Sequence, residues 1–284
     1  MHVLVTGLSG FTGQYVKEAL VSAGHQVTGI SADLLDADAV AAEVKEIEPH
    51  AVIHLAAIAF VAHGSPDDFY KVNLVGTRHF LQALSEHASD VKMVLLASSA
   101  NVYGNTEGMM RETTVPAPAN DYAVSKLAME YMAKLWLPEL PIVIARPFNY
   151  TGVGQSENFL IPKIVSHFKR QATEIELGNL DVWRDFGDVR SVAEAYLGLI
   201  EKGQPGETYN ISSSAPVALR EVISLCEQLT GHQLEVNVNP AFVRANEVVR
   251  LSGDASKLRA LLPEWKMPAL RETLSWMFSE PGKV

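Results

Sequence analysis

A short β-branched run, His2–Thr6, passes directly into Gly7-Leu8-Ser9-Gly10-Phe11-Thr12-Gly13, and apolar residues at helical spacing follow over Phe11–Ser22. Strand, glycine-rich turn and helix in this order leave few folds open. Gly7 permits the tight turn, Gly10 lets backbone approach a bound pyrophosphate, and Gly13 lets the helix pack close to the strand. The helix N-terminus then offers free N–H groups to an anion. Gly7, Gly10, Phe11, Thr12 and Gly13 are therefore candidate phosphate-binding residues.

The rest of the first half repeats the alternation. Strand-like runs at Gln26–Ile30, Ala51–Ala57, Val91–Ala97 and Pro141–Ala145 alternate with helical patterns at Asp36–Glu48, Phe69–Glu86 and Asn120–Leu135. Strands alternating with helices imply a parallel sheet covered on both faces. The continuous apolar strands agree, because such strands have no solvent side. After Arg146 the texture changes. Gly and Asn become common, elements shorten, and helices are expected near Ile161–Gln171, Arg190–Glu201, Leu219–Thr230 and Leu270–Phe278, with a last strand at Thr208–Ile211. The expected architecture is α/β: a Rossmann-type doubly wound parallel sheet with a smaller, interleaved α/β substrate lobe. Residues 1–149 and 181–213 form the first unit, residues 150–180 and 214–284 the second.

Composition excludes several functions. With 23 Lys plus Arg against 33 Asp plus Glu, the 284-residue chain carries −10, a poor balance for binding nucleic acid. Any anionic ligand must be held by local arginines and backbone N–H groups. No apolar run reaches the ~18 residues of a membrane helix, and the N-terminus lacks the basic region of a signal peptide. The single cysteine, Cys226, allows neither an internal disulfide nor a cysteine metal cluster, and a cytoplasmic location is expected. The nine histidines show no metal-ligand spacing.

Tyr122 and Lys126 stand four residues apart on an expected helix, so they share a face. Ser99 lies 23 residues before Tyr122, at the carboxyl end of a central strand, where doubly wound sheets place their chemistry. A lysine one turn along can stabilise a phenolate. Bringing a tyrosine from a pKa of ~10 to neutrality takes about 4 kcal/mol, which an ammonium and a cationic cofactor could supply together.

The spacing G-x-x-G-x-x-G, together with Ser99, Tyr122 and Lys126, resembles the extended branch of the short-chain dehydrogenase/reductase superfamily, the NAD-dependent epimerases and dehydratases. The similarity extends over essentially the whole chain. It implies NADPH or NADH as cofactor, with Ser99, Tyr122 and Lys126 catalytic and Tyr122 and Lys126 also touching the cofactor. Ser31, at the tip of the second strand, takes the place of the acid that selects NAD, and no arginine follows it, so neither cofactor is favoured. Asp33-Leu34 resembles the adenine-edge contact. Leu55, Ala56 and Ala57 end the third strand with room for the cofactor, and Asn73 matches an N-x-x-G-T helix.

Within that branch, Arg146-Pro147-Phe148-Asn149-Tyr150-Thr151-Gly152, Arg184-Asp185-Phe186 and Gly253-Asp254-Ala255-Ser256-Lys257-Leu258 are most similar to reductases of GDP-linked 4-keto-6-deoxy-mannose. Tyr150 and Val153 depart from that group, which has histidine and proline there. The resemblance implies a nucleotide-sugar substrate held by Ser99, Asn149, Arg184, Arg244 and Glu247; a guanidinium suits paired phosphate oxygens. Ala100 and Asn101 follow Ser99 where related dehydratases carry a carboxylate, and Ala100 stands where a related epimerase/reductase carries a cysteine. Simple hydride transfer at C4 is thus expected, either as ketone reduction or as C4 epimerisation with tightly bound NAD. An idle nucleotide-binding regulator on the same scaffold is the reading from another class. Family resemblance also implies a homodimer through the helices over Phe69–Glu86 and Asn120–Leu135.

Overall fold

The computed structural model of the protein describes residues 1–59, 65–242 and 249–280. Six parallel strands form its main sheet: β1 (His2–Thr6), β2 (Gln26–Gly29), β3 (Ala51–His54), β4 (Met93–Ala97), β5 (Ile142–Pro147) and β6 (Thr208–Ile211). Their spatial order is β6-β5-β4-β3-β1-β2. The strand order reverses between β1 and β3, the point at which sheets of this kind form a ligand crevice outside the carboxyl ends of their strands. The glycine loop follows β1, and Leu55–Ala57 follow β3, so both line the switch point. The sheet is Rossmann-like.

Two layers of helices cover it. Val3, Val5 and Ile53 point to one side, with α1 (Phe11–Ser22) and a later helix over Val189–Lys202 packed against them. Leu4, Val52, Val94 and Leu96 point to the other. There α2 (Ala37–Ile47), α3 (Thr77–His87) and α4 (Asp121–Lys134) lie. Alternation along each strand decides the side, since successive side chains face opposite ways.

The helix expected over Phe69–Glu86 is built in three parts: an α-turn at Pro66–Tyr70, a π-helical stretch at Lys71–Gly76, and α3. Close packing accompanies the wide turn. A Cβ on Gly76 would come to 2.9 Å from Cβ of Leu34. Strand β3 stops at His54, three residues short of expectation, because the Leu55 and Ala56 N–H groups turn to the Thr6 hydroxyl at 3.1 and 3.0 Å.

A second core lies beyond the sheet. Ile161, Ile164 and Phe168 of α5 (Leu160–Lys169) pack with Val222 and Cys226 of α7 (Leu219–Thr230) and Leu274 of α8 (Leu270–Ser279). The helix over Val189–Lys202, α6, returns to the sheet. Short strands at Val217–Ala218, Trp183–Arg184, Arg250–Gly253 and Met109–Met110 form a small sheet in that order. The last of these belongs to the loop that leaves Ser99. Ala255, Leu258, Leu262 and Trp265 pack into the core under the main sheet. We propose two units divided by these cores, with residues 255–265 belonging to the sheet unit.

Candidate active site

The glycine loop sits as the sequence spacing requires. Gly7 has φ +71°, which favours glycine, and a Cβ there would come 3.0 Å from the Ala56 N. A Cβ on Gly13 would collide with the carbonyl oxygens of Gly7 and Leu8. Gly10 caps α1 without a side chain to bond its first-turn N–H groups, leaving them for an anion. These features fit a dinucleotide pyrophosphate. Phe11 and Thr12 open the helix. Tyr150 lies over them: its ring stacks on Phe11 at 6.3 Å and its hydroxyl is 2.8 Å from Thr12 Oγ1. Tyr15 reaches the same segment, donating to the Val153 carbonyl at 2.7 Å.

Across the crevice, Ser99 begins a short 3₁₀ turn after β4 and its Oγ accepts the Asn101 N–H at 3.2 Å. The Ser99 hydroxyl lies near the Tyr122 phenol. Tyr122 stands in the first turn of α4, capped by Asn120. Burial pushes its pKa up to about 12, with nearby Ser99 acting in the other direction and nearby Tyr150 adding to the rise. In the protein alone the tyrosine therefore moves away from neutrality. Desolvation of the phenolate outweighs what the surroundings offer. Lys126, one turn on, donates to the Ala97 carbonyl at 2.8 Å. Burial draws its pKa down to about 8, with Glu130 acting in the other direction.

A continuous polar chain lies under both halves. Thr77 Oγ1 donates to the Asn73 carbonyl at 2.8 Å. With its one hydrogen spent, it accepts from His54 Nε2 at 2.9 Å. The neutral ring then accepts from the Thr6 hydroxyl through Nδ1 at 2.8 Å. Asn73 Nδ2 donates to Ile58 O and Ser125 Oγ at 3.1 and 3.0 Å, and its Oδ1 accepts the Ile58 N–H at 2.9 Å. Ser125 donates to the Tyr122 carbonyl at 2.8 Å. The chain thus runs from the base of the glycine loop to the Tyr122 helix. Asn73 is buried and both amide hydrogens are committed to protein, so its side chain supports the 55–58 turn. His54, Thr6 and Ser125 were not singled out by sequence reasoning; hydrogen-bonding types at the ends of β1 and β3 were the available signal.

The remaining candidates separate. Ser31 donates its N–H and hydroxyl to Glu43. Asp33 accepts the Leu35 N–H at 2.9 Å. Leu34 is buried among apolar residues under α3. Asn149 is exposed on a strand paired with Phe186–Asp188. Arg184 lies in the small sheet and donates to the carbonyls of Trp183 and Val249 at 3.0 and 3.4 Å. Asp185, beside it, is buried and accepts from Ser212, Ser213 and Ser214, which fixes the strand to the end of β6. Arg244 and Glu247 lie outside the described residues.

A Rossmann-like sheet with a glycine loop at its switch point defines the class, an NAD(P)-dependent oxidoreductase. The chain belongs to the NAD dependent epimerase/dehydratase family, which it matches over residues 3–212. It is 34% identical to GDP-6-deoxy-D-talose 4-dehydrogenase of Aggregatibacter actinomycetemcomitans, covering 98% of this chain and 97% of that one. It is also 34% identical to GDP-6-deoxy-D-mannose reductase of Pseudomonas aeruginosa, over 93% and 97%. Among solved structures, it resembles RMD from Pseudomonas aeruginosa complexed with NADPH, with TM-score 0.90, 34% identity and 98% and 97% coverage. A candidate epimerase from Burkholderia cenocepacia J2315 is similar with TM-score 0.93, 50% identity and 98% and 96% coverage.

Proposed function

We propose that the protein reduces the C4 ketone of a nucleotide-linked 4-keto-6-deoxy sugar with NADPH or NADH, converting GDP-4-keto-6-deoxy-D-mannose to GDP-D-rhamnose or its C4 epimer. The observation that carries the reading is the juxtaposition of Ser99, at the carboxyl end of β4, with Tyr122 and Lys126 on one face of α4. A nicotinamide held there would supply the hydride. Tyr122, held protonated by burial, donates its proton to the C4 oxygen as general acid. Ser99 donates a hydrogen bond to that oxygen. Lys126 holds the nicotinamide ribose and carries positive charge next to the phenol. Gly7, Gly10, Phe11, Thr12 and Gly13 cradle the pyrophosphate. Ser31, Asp33 and Leu34 flank the adenosine end, and Leu55, Ala56 and Ala57 border the crevice. Asn149, Arg184, Arg244 and Glu247 hold the sugar nucleotide, as family resemblance implies.

The named activities of two relatives, a 4-dehydrogenase and a reductase, both concern a GDP-6-deoxyhexose, and the first names position 4. Loss of nicotinamide absorbance with a panel of nucleotide-linked 4-keto-6-deoxy sugars tests the proposal, and one cofactor consumed per sugar supports it. The similarity to a candidate epimerase favours a second reading, C4 epimerisation. Protein that purifies with NAD bound and interconverts C4 isomers without added cofactor would establish that reading instead.

No helix among the described residues is long and apolar enough to cross a membrane. We place the protein in the cytoplasm, where its single, buried cysteine stays reduced. Val124, Tyr131 and Leu135 are exposed along or just after α4, which suits pairing of this helix in a homodimer. Sedimentation showing dimer for the wild type and monomer for Tyr131→Glu at micromolar concentration is the expected result; monomer for both rejects the assembly.

A further inference from the structure

The tip of β2 marks the adenosine end of a dinucleotide site in this fold. A free 2′-hydroxyl and a 2′-phosphate make opposite demands there. The hydroxyl donates and suits a carboxylate; the phosphate needs donors and a cation. Here both donors of Ser31 are already spent. Ser31 gives its N–H to Glu43 Oε2 at 2.8 Å and its hydroxyl to Oε1 at 2.5 Å. Both carboxylate oxygens of Glu43 are thus drawn from α2 onto the end of the strand.

The surroundings add no positive charge from this stretch of chain. The sequence has no Lys or Arg between Lys17 and Lys45. Lys45 follows Glu43 by two positions, about 200° around the helix, and points elsewhere. Asp33 brings a second carboxylate, anchored on the Leu35 N–H. His79 spends its Nδ1 proton on the Leu34 carbonyl at 3.1 Å.

We infer that Glu43 is a specificity-determining residue that selects NAD(H) over NADP(H), a carboxylate supplied by α2 where the strand tip itself holds serine. The inference rests on the glycine loop binding a dinucleotide and is independent of the sugar. Like charges forced together cost several kcal/mol at a binding surface, so the wild type should bind NADH at least roughly tenfold more tightly than NADPH.

Fluorescence titration with NADH and NADPH separates the effect from a structural clamp. Glu43→Gln keeps an acceptor for Ser31 and removes the charge. The expected result is a NADPH/NADH ratio of dissociation constants that falls towards one, chiefly through tighter NADPH binding. Glu43→Ala releases both Ser31 donors and should lower the ratio further; if it unfolds, the Glu43→Gln ratio decides. Wild-type preference for NADPH, or equal changes for both cofactors in Glu43→Gln, overturns the assignment. Failure of the wild type to bind either dinucleotide overturns it together with the cofactor reading of the glycine loop.

Discussion

Glu130 and Arg146 meet in a two-point ion pair beneath the Tyr122 helix, with Nε on Oε1 at 2.9 Å and Nη2 on Oε2 at 2.5 Å. Their side chains are 4% and 7% exposed. The same carboxylate accepts the hydroxyl of Ser98, the neighbour of Ser99. Arg146 also donates to the Tyr103 hydroxyl at 2.9 Å, which donates to Asn210 at 2.7 Å. One buried carboxylate therefore joins α4, the tip of β4 and β5. Tyr122, Lys126 and Glu130 are spaced four apart along one helix face.

Glu130→Ala should destabilise the protein strongly, because it leaves a buried guanidinium without its counter-charge. Breaking such a pair from one side costs about 3–5 kcal/mol. Urea unfolding of the two proteins measures the difference. A loss under about 1 kcal/mol would show that water or another group compensates Arg146, and the joint would not hold as described.

Tyr122→Phe should reduce turnover about 100-fold or more, the range of general acid catalysis. Dinucleotide affinity should persist, since the glycine loop is untouched. The phenol's raised pKa also fixes the pH behaviour: the acid form is kept through neutral pH, so ketone reduction should not fall between pH 6 and 8 through loss of the Tyr122 proton. Turnover near that of the wild type in the variant removes Tyr122 from the acid role.

The glycine loop, the alternating strands and the Tyr122–Lys126 spacing were legible because each is a local pattern. Gly13 shows why: its packing partners, the carbonyls of Gly7 and Leu8, lie within six residues. The partner of Ser31 was not legible. Glu43 is twelve residues away on a helix, and only the fold brings its carboxylate to the strand tip. Likewise the His54 chain joins Thr6, Thr77 and Ser125 across as much as 119 positions of sequence.

His54 gives the protein an acid-sensitive point. Burial, aided by the charge of Lys126, lowers its pKa to about 3, whereas an unfolded histidine titrates near 6.5. The unfolded state therefore binds the extra proton first. The stabilising difference is fully present above pH 6.5 and is lost as pH falls towards 3, amounting to about 2 kcal/mol at pH 5. Unfolding free energies measured at pH 7 and pH 5 for the wild type and His54→Gln should differ in slope by about that amount. Parallel slopes would mean that the imidazole is accessible to protons in the folded state.

Arg184 offers the sharpest test of the substrate side. Its guanidinium donates to Val249, next to the stretch that carries Arg244 and Glu247, and the neighbouring Asp185 locks the strand against residues 212–214. The cation is therefore anchored by backbone on both sides while the net charge of −10 repels a diphosphate. Binding must then depend on a few local contacts, and each hydrogen bond to a charged group contributes ~1.5–3 kcal/mol. Arg184→Ala should weaken binding of a nucleoside diphosphate about tenfold to a hundredfold, with dinucleotide affinity unchanged. Calorimetry with each ligand separates the cases. Equal losses for both would point to a folding defect propagated through Asp185, and no loss for either would take Arg184 out of the substrate site.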